Sequence, residues 1–249
     1  MKLASKETCT GCNACAYICP KKCISFKNDE TYDIAYPVID ETQCINCGKC
    51  QKVCPALNPL EGVTPLNAYA AWSFDSEERR TSASGGIATE IYKYALKNGW
   101  SIVGAAFCED FKVHLELSND WGAIKKFKNS KYVFSSMADV FYEIYQKLTF
   151  GGKVVVIALP CQIAAIRKIF HKNLDNLLLV DLVCHGIMPY VYLKQYISYM
   201  EKSFHKKVKK LTFRDPKGGT QNYFLSLYDQ EGNCFYSSNK LKDSYQFAF

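Results

Sequence analysis

Eight cysteines near the start of the chain fall into two strings of the same spacing. Cys9-Thr-Gly-Cys12-Asn-Ala-Cys15-Ala-Tyr-Ile-Cys19-Pro20 recurs as Cys44-Ile-Asn-Cys47-Gly-Lys-Cys50-Gln-Lys-Val-Cys54-Pro55. A 4Fe-4S cube has four iron corners, and each takes one soft thiolate. Cysteines at i, i+3 and i+6 wrap three corners of one cube with a short loop. The fourth, followed by a proline that redirects the chain, reaches the neighbouring cube. The spacing therefore predicts two 4Fe-4S clusters, one on Cys9, Cys12, Cys15 and Cys54, the other on Cys44, Cys47, Cys50 and Cys19. Zinc would use two Cys-x-x-Cys pairs and leave the remaining cysteines and both prolines without a role. Cys23 stands outside the pattern and reads as a core residue. Such clusters move single electrons and do no substrate chemistry alone, so the rest of the chain needs a partner reaction.

The elements that carry these residues belong to a globular α+β protein. Of 249 residues, 48% are hydrophobic and 22% charged, which excludes a disordered chain. The longest apolar runs, Val154–Leu159 and Leu177–Val180, are far short of the ~20 residues that span a bilayer. The first residues hold no apolar signal core. A cytoplasmic chain without a membrane span is the expectation, in a compartment that keeps thiols reduced. Residues 1–62 read as a two-cluster ferredoxin-like unit, leaving through Pro55-Ala-Leu-Asn-Pro59. Beyond residue 66 the pattern turns mixed α/β. Ile87, Ile91 and Ala95 predict a helix stopped by Gly99, and Ser101–Phe107 a strand. Met137, Val140, Phe141, Ile144, Tyr145 and Leu148 predict an amphipathic helix ended by Gly151-Gly152. Lys153–Ala158 and Asn176–Val183 read as buried strands around a helix from Cys161 to His171. A further helix follows over Tyr190–Phe204. This βαβα order favours neighbouring parallel strands. Short antiparallel strands fit Lys207–Tyr236, with turns at Lys217-Gly-Gly and Glu231-Gly-Asn.

Three places outside the cysteine strings carry residues suited to a cofactor. Ser82-Ala-Ser84-Gly85-Gly86 stands before a helix, where hydroxyls and backbone amides suit a phosphate; a plain serine cap explains the fragment equally well. Leu159-Pro160-Cys161-Gln162 lies between a strand end and a helix start, where open α/β sheets place ligands. A thiolate at that helix start would be favoured by unpaired amides, although most isolated cysteines are core residues. Asp181-Leu-Val-Cys184-His185-Gly186 ends the next strand, and His185 suits acid–base work or a hydrogen bond to a cofactor. Consecutive βα units bring these last two places side by side.

Taken in order, Ser82-Ala-Ser-Gly-Gly86, Ser130-Lys-Tyr-Val133, Leu159-Pro-Cys-Gln-Ile163, Asp181-Leu-Val-Cys-His-Gly186 and Phe213-Arg-Asp215 carry a family resemblance. Together they resemble the family of coenzyme F420 hydrogenase/dehydrogenase beta subunits, with an N-terminal two-cluster ferredoxin domain. The resemblance implies a mixed α/β flavin-type domain, with the family's N-terminal region over 66–150 and an incomplete C-terminal region over 151–249. It implies FAD held near Ser82, Ser84, Gly85, Gly86, Lys131, Pro160, Cys161 and Gln162, with Cys161 and His185 as catalytic candidates. It implies an oxidoreductase that passes electrons between a deazaflavin-like two-electron carrier, FAD and the clusters. A ferredoxin-type protein or another oxidoreductase subunit is the expected redox partner. Flavin accepts electrons in pairs and releases them singly, so it suits the place between a hydride carrier and iron–sulfur cubes. Family members continue further, so the end at Asp243–Phe249 reads as an interrupted strand or helix, from truncation or from completion by a separate chain. A non-catalytic electron-transfer subunit without flavin is the alternative.

The net charge of +7 is concentrated. Lys202, Lys206, Lys207, Lys209, Lys210, Arg214 and Lys217 face a single acid, Asp215, within residues 202–217. Lysines there alternate with Phe204, Val208, Leu211 and Phe213, as a helix end and a strand require. The segment reads as a solvated face or as a surface for an acidic partner or cofactor tail, with Arg214 foremost, rather than a nucleic-acid site.

Overall fold

Each cysteine string passes through a left-handed backbone residue, Asn13 (φ 60°) or Gly48 (φ 74°), into a short helix. These are α1 (Ala14–Ile18) and α2 (Lys49–Lys52), and between them lies a hairpin of β1 (Ile24–Asn28) and β2 (Ala35–Ile39). The hairpin pairs antiparallel from Ile24↔Ile39 to Asn28↔Ala35. The computed structural model describes residues 2–30, 34–137, 139–170, 175–218 and 222–247. The buried centre of this N-terminal unit is small: Cys15, Cys23, Ile24 and Cys50, flanked by Leu3, Phe26 and Ile39. So little apolar area does not stabilise a unit of this size alone, and units of this kind draw folding energy from a bound metal centre.

The chain continues through α3 (Ser76–Thr81), α4 (Ile87–Lys97), β3 (Ser101–Phe107), β4 (Val113–Ser118), α5 (Ala123–Phe127), β5 (Ser135–Ser136), α6 (Val140–Thr149), β6 (Val154–Ala158), α7 (Pro160–Ile169) and β7 (Leu177–Asp181). Their strands form one mixed sheet in the order β5-β4-β3-β6-β7. β3, β6 and β7 run parallel, as the βαβα pattern predicts, and β4 returns antiparallel beside β3. Side chains alternate across the sheet. Ile102, Ala106, Val155 and Ile157 pack against Tyr92 and Ala95 of α4 and Ile124 and Phe127 of α5. Val103, Val154, Val156 and Ala158 face Phe141 and Ile144 of α6 and Ile163 and Ile166 of α7. With both faces covered, every residue of β6 is buried. Gly104 permits the closest approach, because a Cβ there would lie 2.5 Å from Tyr92 Oη and 2.6 Å from the Phe127 ring.

The last elements are α8 (Tyr190–Phe204), β8 (Lys210–Thr212), β9 (Leu225–Tyr228), β10 (Cys234–Ser238) and α9 (Ser244–Phe247). The strands pair antiparallel in the order β10-β9-β8 and pack on Leu193, Tyr196 and Met200 of α8. Buried carboxylates brace this layer. Asp243 accepts hydrogen bonds from the hydroxyls of Tyr196 (2.6 Å) and Tyr236 (2.9 Å), and Asp215 accepts one from Tyr228.

Expected and observed elements differ in instructive ways. The helix expected from Cys161 begins at Pro160, whose fixed φ suits a first turn. Its expected end at His171, the glycine at 219 and the final Phe249 lie outside the described residues. Met137 is fully buried but precedes α6 instead of belonging to it. Of Asp243–Phe249, the described part holds α9. No described helix is long and apolar enough to cross a membrane.

Candidate functional site

The two cysteine strings surround two separate cavities. Cys9, Cys12, Cys15 and Cys54 line one, together with Phe26 and Pro37. Cys19, Cys44, Cys47 and Cys50 line the other, with Ile24 and Ile39. The last cysteine of each string thus stands with the first three of the other string. The donors suit a cube, which spreads its thiolates over four corners; among the described residues no group of three or more His, Cys, Asp or Glu side chains is gathered as for a single metal ion. Burial, reinforced by Cys12 and Cys9, pushes the Cys15 thiol up to about 12, so a thiolate there needs a bound cation beside it. Cys23 belongs to the small core, and its sulfur also lines the second cavity, 3.5 Å from Cys19 Sγ.

The first of these cavities abuts the α/β layer. Cys12 and Ala14 are buried in the same core as Phe141 and Ile163, and the rings of Tyr17 and Phe141 meet with centroids 5.2 Å apart. A Cβ on Gly11 would lie 2.9 Å from the Phe134 ring. Cys161 lies at this junction. Burial, and after it the neighbouring Cys12 and Cys184, push its thiol above the usual range. The amides of Cys161 and Gln162 at the α7 N-terminus do favour the thiolate, as expected, but desolvation outweighs them.

Beyond Cys161 lies a third and much larger cavity of about 790 Å³, within the range of small-molecule and cofactor sites. It opens at the carboxyl ends of β6 and β7, where an α/β sheet is expected to hold its ligand. Of the residues singled out in the sequence, Ser82, Ser84, Gly85, Gly86, Lys131, Gln162 and His185 line it. Pro160 and Cys161 do not. Gly85 has no room for a side chain, since a Cβ would lie 2.8 Å from the Ala71 carbonyl oxygen. Gly86 takes φ 85° and caps α4, where the helix dipole presents its positive end. Ser82 is buried and donates to Glu78 (2.8 Å), so its hydroxyl holds the loop. Gln162 is equally committed: Oε1 accepts the Leu159 amide at 3.1 Å and Nε2 donates to Ser135 Oγ at 2.9 Å.

The lining contains Lys128, Lys131, His185, Arg214 and Lys240 and, among the described residues, no carboxylate, so the cavity suits an anion. Lys128 pairs with Glu78 at 2.7 Å. Lys131 Nζ donates to the carbonyls of Phe127, Lys128 and Asn129 over 3.2–3.4 Å, and burial lowers its pKa to about 8. Arg214 lies over the Tyr223 ring at 4.0 Å. The other basic residues of 202–217 are dispersed. Lys206 pairs with Asp229 (2.7 Å), Lys207 pairs with Glu201 (2.8 Å), and Lys210 and Lys217 lie over Tyr228. Sequence reasoning missed Asn129, whose carboxamide accepts from Ala83 N and donates to Thr81 O, fixing the Ser82–Gly86 loop. It also missed Lys240, Tyr245 and Gln246, for which no motif gives a signal.

Comparison with known proteins agrees with the residues. Residues 8–58 match the 4Fe-4S dicluster domain, and 36–108 match a second dicluster description. Residues 151–242 match the family described as the C terminus of the coenzyme F420 hydrogenase/dehydrogenase beta subunit. A component of the F(420)H(2) dehydrogenase of Methanosarcina mazei is 23% identical over 72% of this chain and 53% of its own length. The coenzyme F420-dependent sulfite reductase of Methanocaldococcus jannaschii is 28% identical over 68% of this chain and 26% of its own. The chain thus spans about half of the first relative and a quarter of the second. The F420-reducing NiFe hydrogenase complex of Methanosarcina barkeri aligns with a TM-score of 0.48 at 23% identity, over 72% of this chain and 60% of that one. With a dicluster ferredoxin domain at its start and the beta-subunit region at 151–242, the chain fits the family of coenzyme F420 hydrogenase/dehydrogenase beta subunits.

Proposed function

We propose that this chain is the iron–sulfur flavoprotein part of an oxidoreductase. In this reading it passes electrons between a deazaflavin-like two-electron carrier, FAD in the large cavity, and two 4Fe-4S clusters on the crossed cysteine sets. The observation that carries it is the position and charge of the cavity: basic, without a carboxylate in its lining among the described residues, and bordered by Gln162, the neighbour of Cys161, whose thiol feels that of Cys12. Bound FAD would convert electron pairs into single electrons, the exchange that cubes require. The chain's own residues do the rest. Gly85 and Gly86 line the cavity at the α4 N-terminus, where a phosphate would meet the positive end of the helix, and Lys131 and Arg214 supply charge for the pyrophosphate or for an anionic carrier. His185, exposed at the cavity mouth, is the group placed to give or take a proton there. Redox partners are a ferredoxin-type protein or a companion oxidoreductase chain.

Anaerobically reconstituted protein should show flavin absorbance that is released on denaturation. Arg214→Glu should weaken FAD binding by roughly tenfold to a hundredfold, the worth of one charge-assisted phosphate contact. Cluster absorbance without any FAD binding would instead support the flavin-free electron-transfer role.

Lys131 adds a pH signature. Its charge is lost as pH rises through about 8, so FAD affinity should fall above that pH, and Lys131→Met should flatten the dependence. The sign for folding is opposite. A lysine pKa below its unfolded value means fewer protons bound in the native state, so the FAD-free protein gains stability as pH rises from about 8 towards 10.5. Titration of FAD affinity by fluorescence across pH 7 to 10 checks the binding side.

A further inference from the structure

The two cysteine sets differ in what surrounds them. The Cys9, Cys12, Cys15 and Cys54 set is walled by the α/β layer: Cys12 and Cys15 are buried, Gly11 abuts Phe134, and α1 packs on α7. The other set opens outward. Cys47 is exposed, and beside it Ile45 is 56% exposed while Pro20 stands free of cover. Around this apolar centre Lys21, Lys22, Lys49 and Lys52 carry the charge, and Lys21 and Lys49 line the cavity itself. Among the described residues no carboxylate lines it. None of the four lysines enters an ion pair among the described residues. Asp40 and Glu41 are exposed nearby, but neither lines the cavity, and Asp40 is turned onto its own loop, accepting from Thr42 and Gln43. An apolar centre flanked mainly by lysines is the anatomy of a transient docking face.

We propose that this face, Pro20, Ile45 and Cys47 with Lys21 and Lys49 at the cavity and the exposed Lys22 and Lys52 near its lining in sequence, docks an acidic one-electron iron–sulfur protein. The proposal rests on the two-cluster assignment and names the surface through which those clusters meet their partner. The basic stripe at 202–217 is the competing surface, but several of its lysines are already engaged with Asp229, Glu201 and Tyr228. With a cluster held by Cys19, Cys44, Cys47 and Cys50, one electron would pass to it from the partner's reduced cluster, which would be oxidised. No bond forms and no proton moves, and the reverse flow uses the same face.

The test uses cluster-loaded full-length protein with a reduced, acidic bacterial-type 4Fe-4S ferredoxin as probe, followed by stopped-flow bleaching of the cluster band. Lys21→Glu, Lys49→Glu and Lys52→Glu combined should slow bleaching by about tenfold or more at low salt, since steering of this kind is worth roughly 10 to 10³ in rate. Added salt should slow the wild type and narrow the gap. Dithionite, which needs no docking face, should bleach both proteins alike. Lys206, Lys207, Lys209 and Lys210 changed together to Glu should leave the ferredoxin rate unaltered. Equal ferredoxin rates for the wild type and the Lys21/Lys49/Lys52 variant, or a slowing confined to the 206–210 variant, overturn the docking face while the clusters stand. A wild type with no dithionite-bleachable band overturns the cluster assignment and this proposal together.

Discussion

Cys12→Ala should lower bound iron and acid-labile sulfide by about half, from roughly eight irons per chain to four, as expected for the loss of one of two cubes. Cys54→Ala should cost the same half, although it lies in the other string, because Cys54 lines the Cys9, Cys12 and Cys15 cavity. Pairs of substitutions decide the connectivity. The double variant Cys12→Ala/Cys54→Ala removes two ligands of one cube and should keep about half the iron. Cys12→Ala/Cys19→Ala removes one ligand from each cube and should lose most of it. If each string kept its own cluster, these two results would change places. Iron analysis after anaerobic reconstitution gives the answer without any assay of activity. The same variants should become more sensitive to proteolysis at the β1–β2 hairpin, since the small core of Cys15, Cys23, Ile24 and Cys50 has little else to hold it.

The second large effect concerns stability. Phe141 is 1% exposed, and its ring meets Tyr17 from the N-terminal unit. Its neighbours in the buried core come from the sheet, from α7 and from the residues around Cys12. Phe141→Ala should cost about 3–5 kcal/mol, the usual effect of a large aromatic cavity in a packed interior. The urea midpoint should fall accordingly. Tyr142→Ala, one residue on but 55% exposed, should change stability by no more than about 0.5 kcal/mol. Because Phe141 also braces the contact beneath Cys12, its loss should make the cluster absorbance more labile in mild urea. A Phe141→Ala midpoint equal to that of Tyr142→Ala would show that the two parts of the chain do not share this core.

These two effects separate what one dimension of the chain encodes from what three dimensions add. Iron–sulfur chemistry is legible because a cube dictates ligand type, number and spacing within a dozen residues. The helices over 87–97 and 190–204, and the buried strands over 154–158 and 177–181, are legible for a related reason: periodicity and apolar runs are local. The antiparallel return of β4 and the hairpin of β1 and β2 are not, because pairing between strands depends on partners rather than on the strand's own residues.

The cofactor cavity shows the boundary within a single turn of helix. Sequence position puts Cys161 and Gln162 together at the start of α7, but successive residues of a helix face directions about 100° apart. Only packing decides that Gln162 borders the cavity while Cys161 does not. Lys240, Tyr245 and Gln246 reach the same cavity from far along the chain from the Ser82–Gly86 loop, and nothing in their local sequence announces it. The net charge is divided in the same way. Composition places most of the +7 in residues 202–217, but the fold pairs or stacks several of those lysines and brings Arg214 alone of that group to the cavity lining. The chemistry of the thiols and the kind of each main element were written in the chain itself, because both follow from near-neighbour spacing. Which side chains meet across those elements was settled only by folding, because it depends on how distant segments pack against one another.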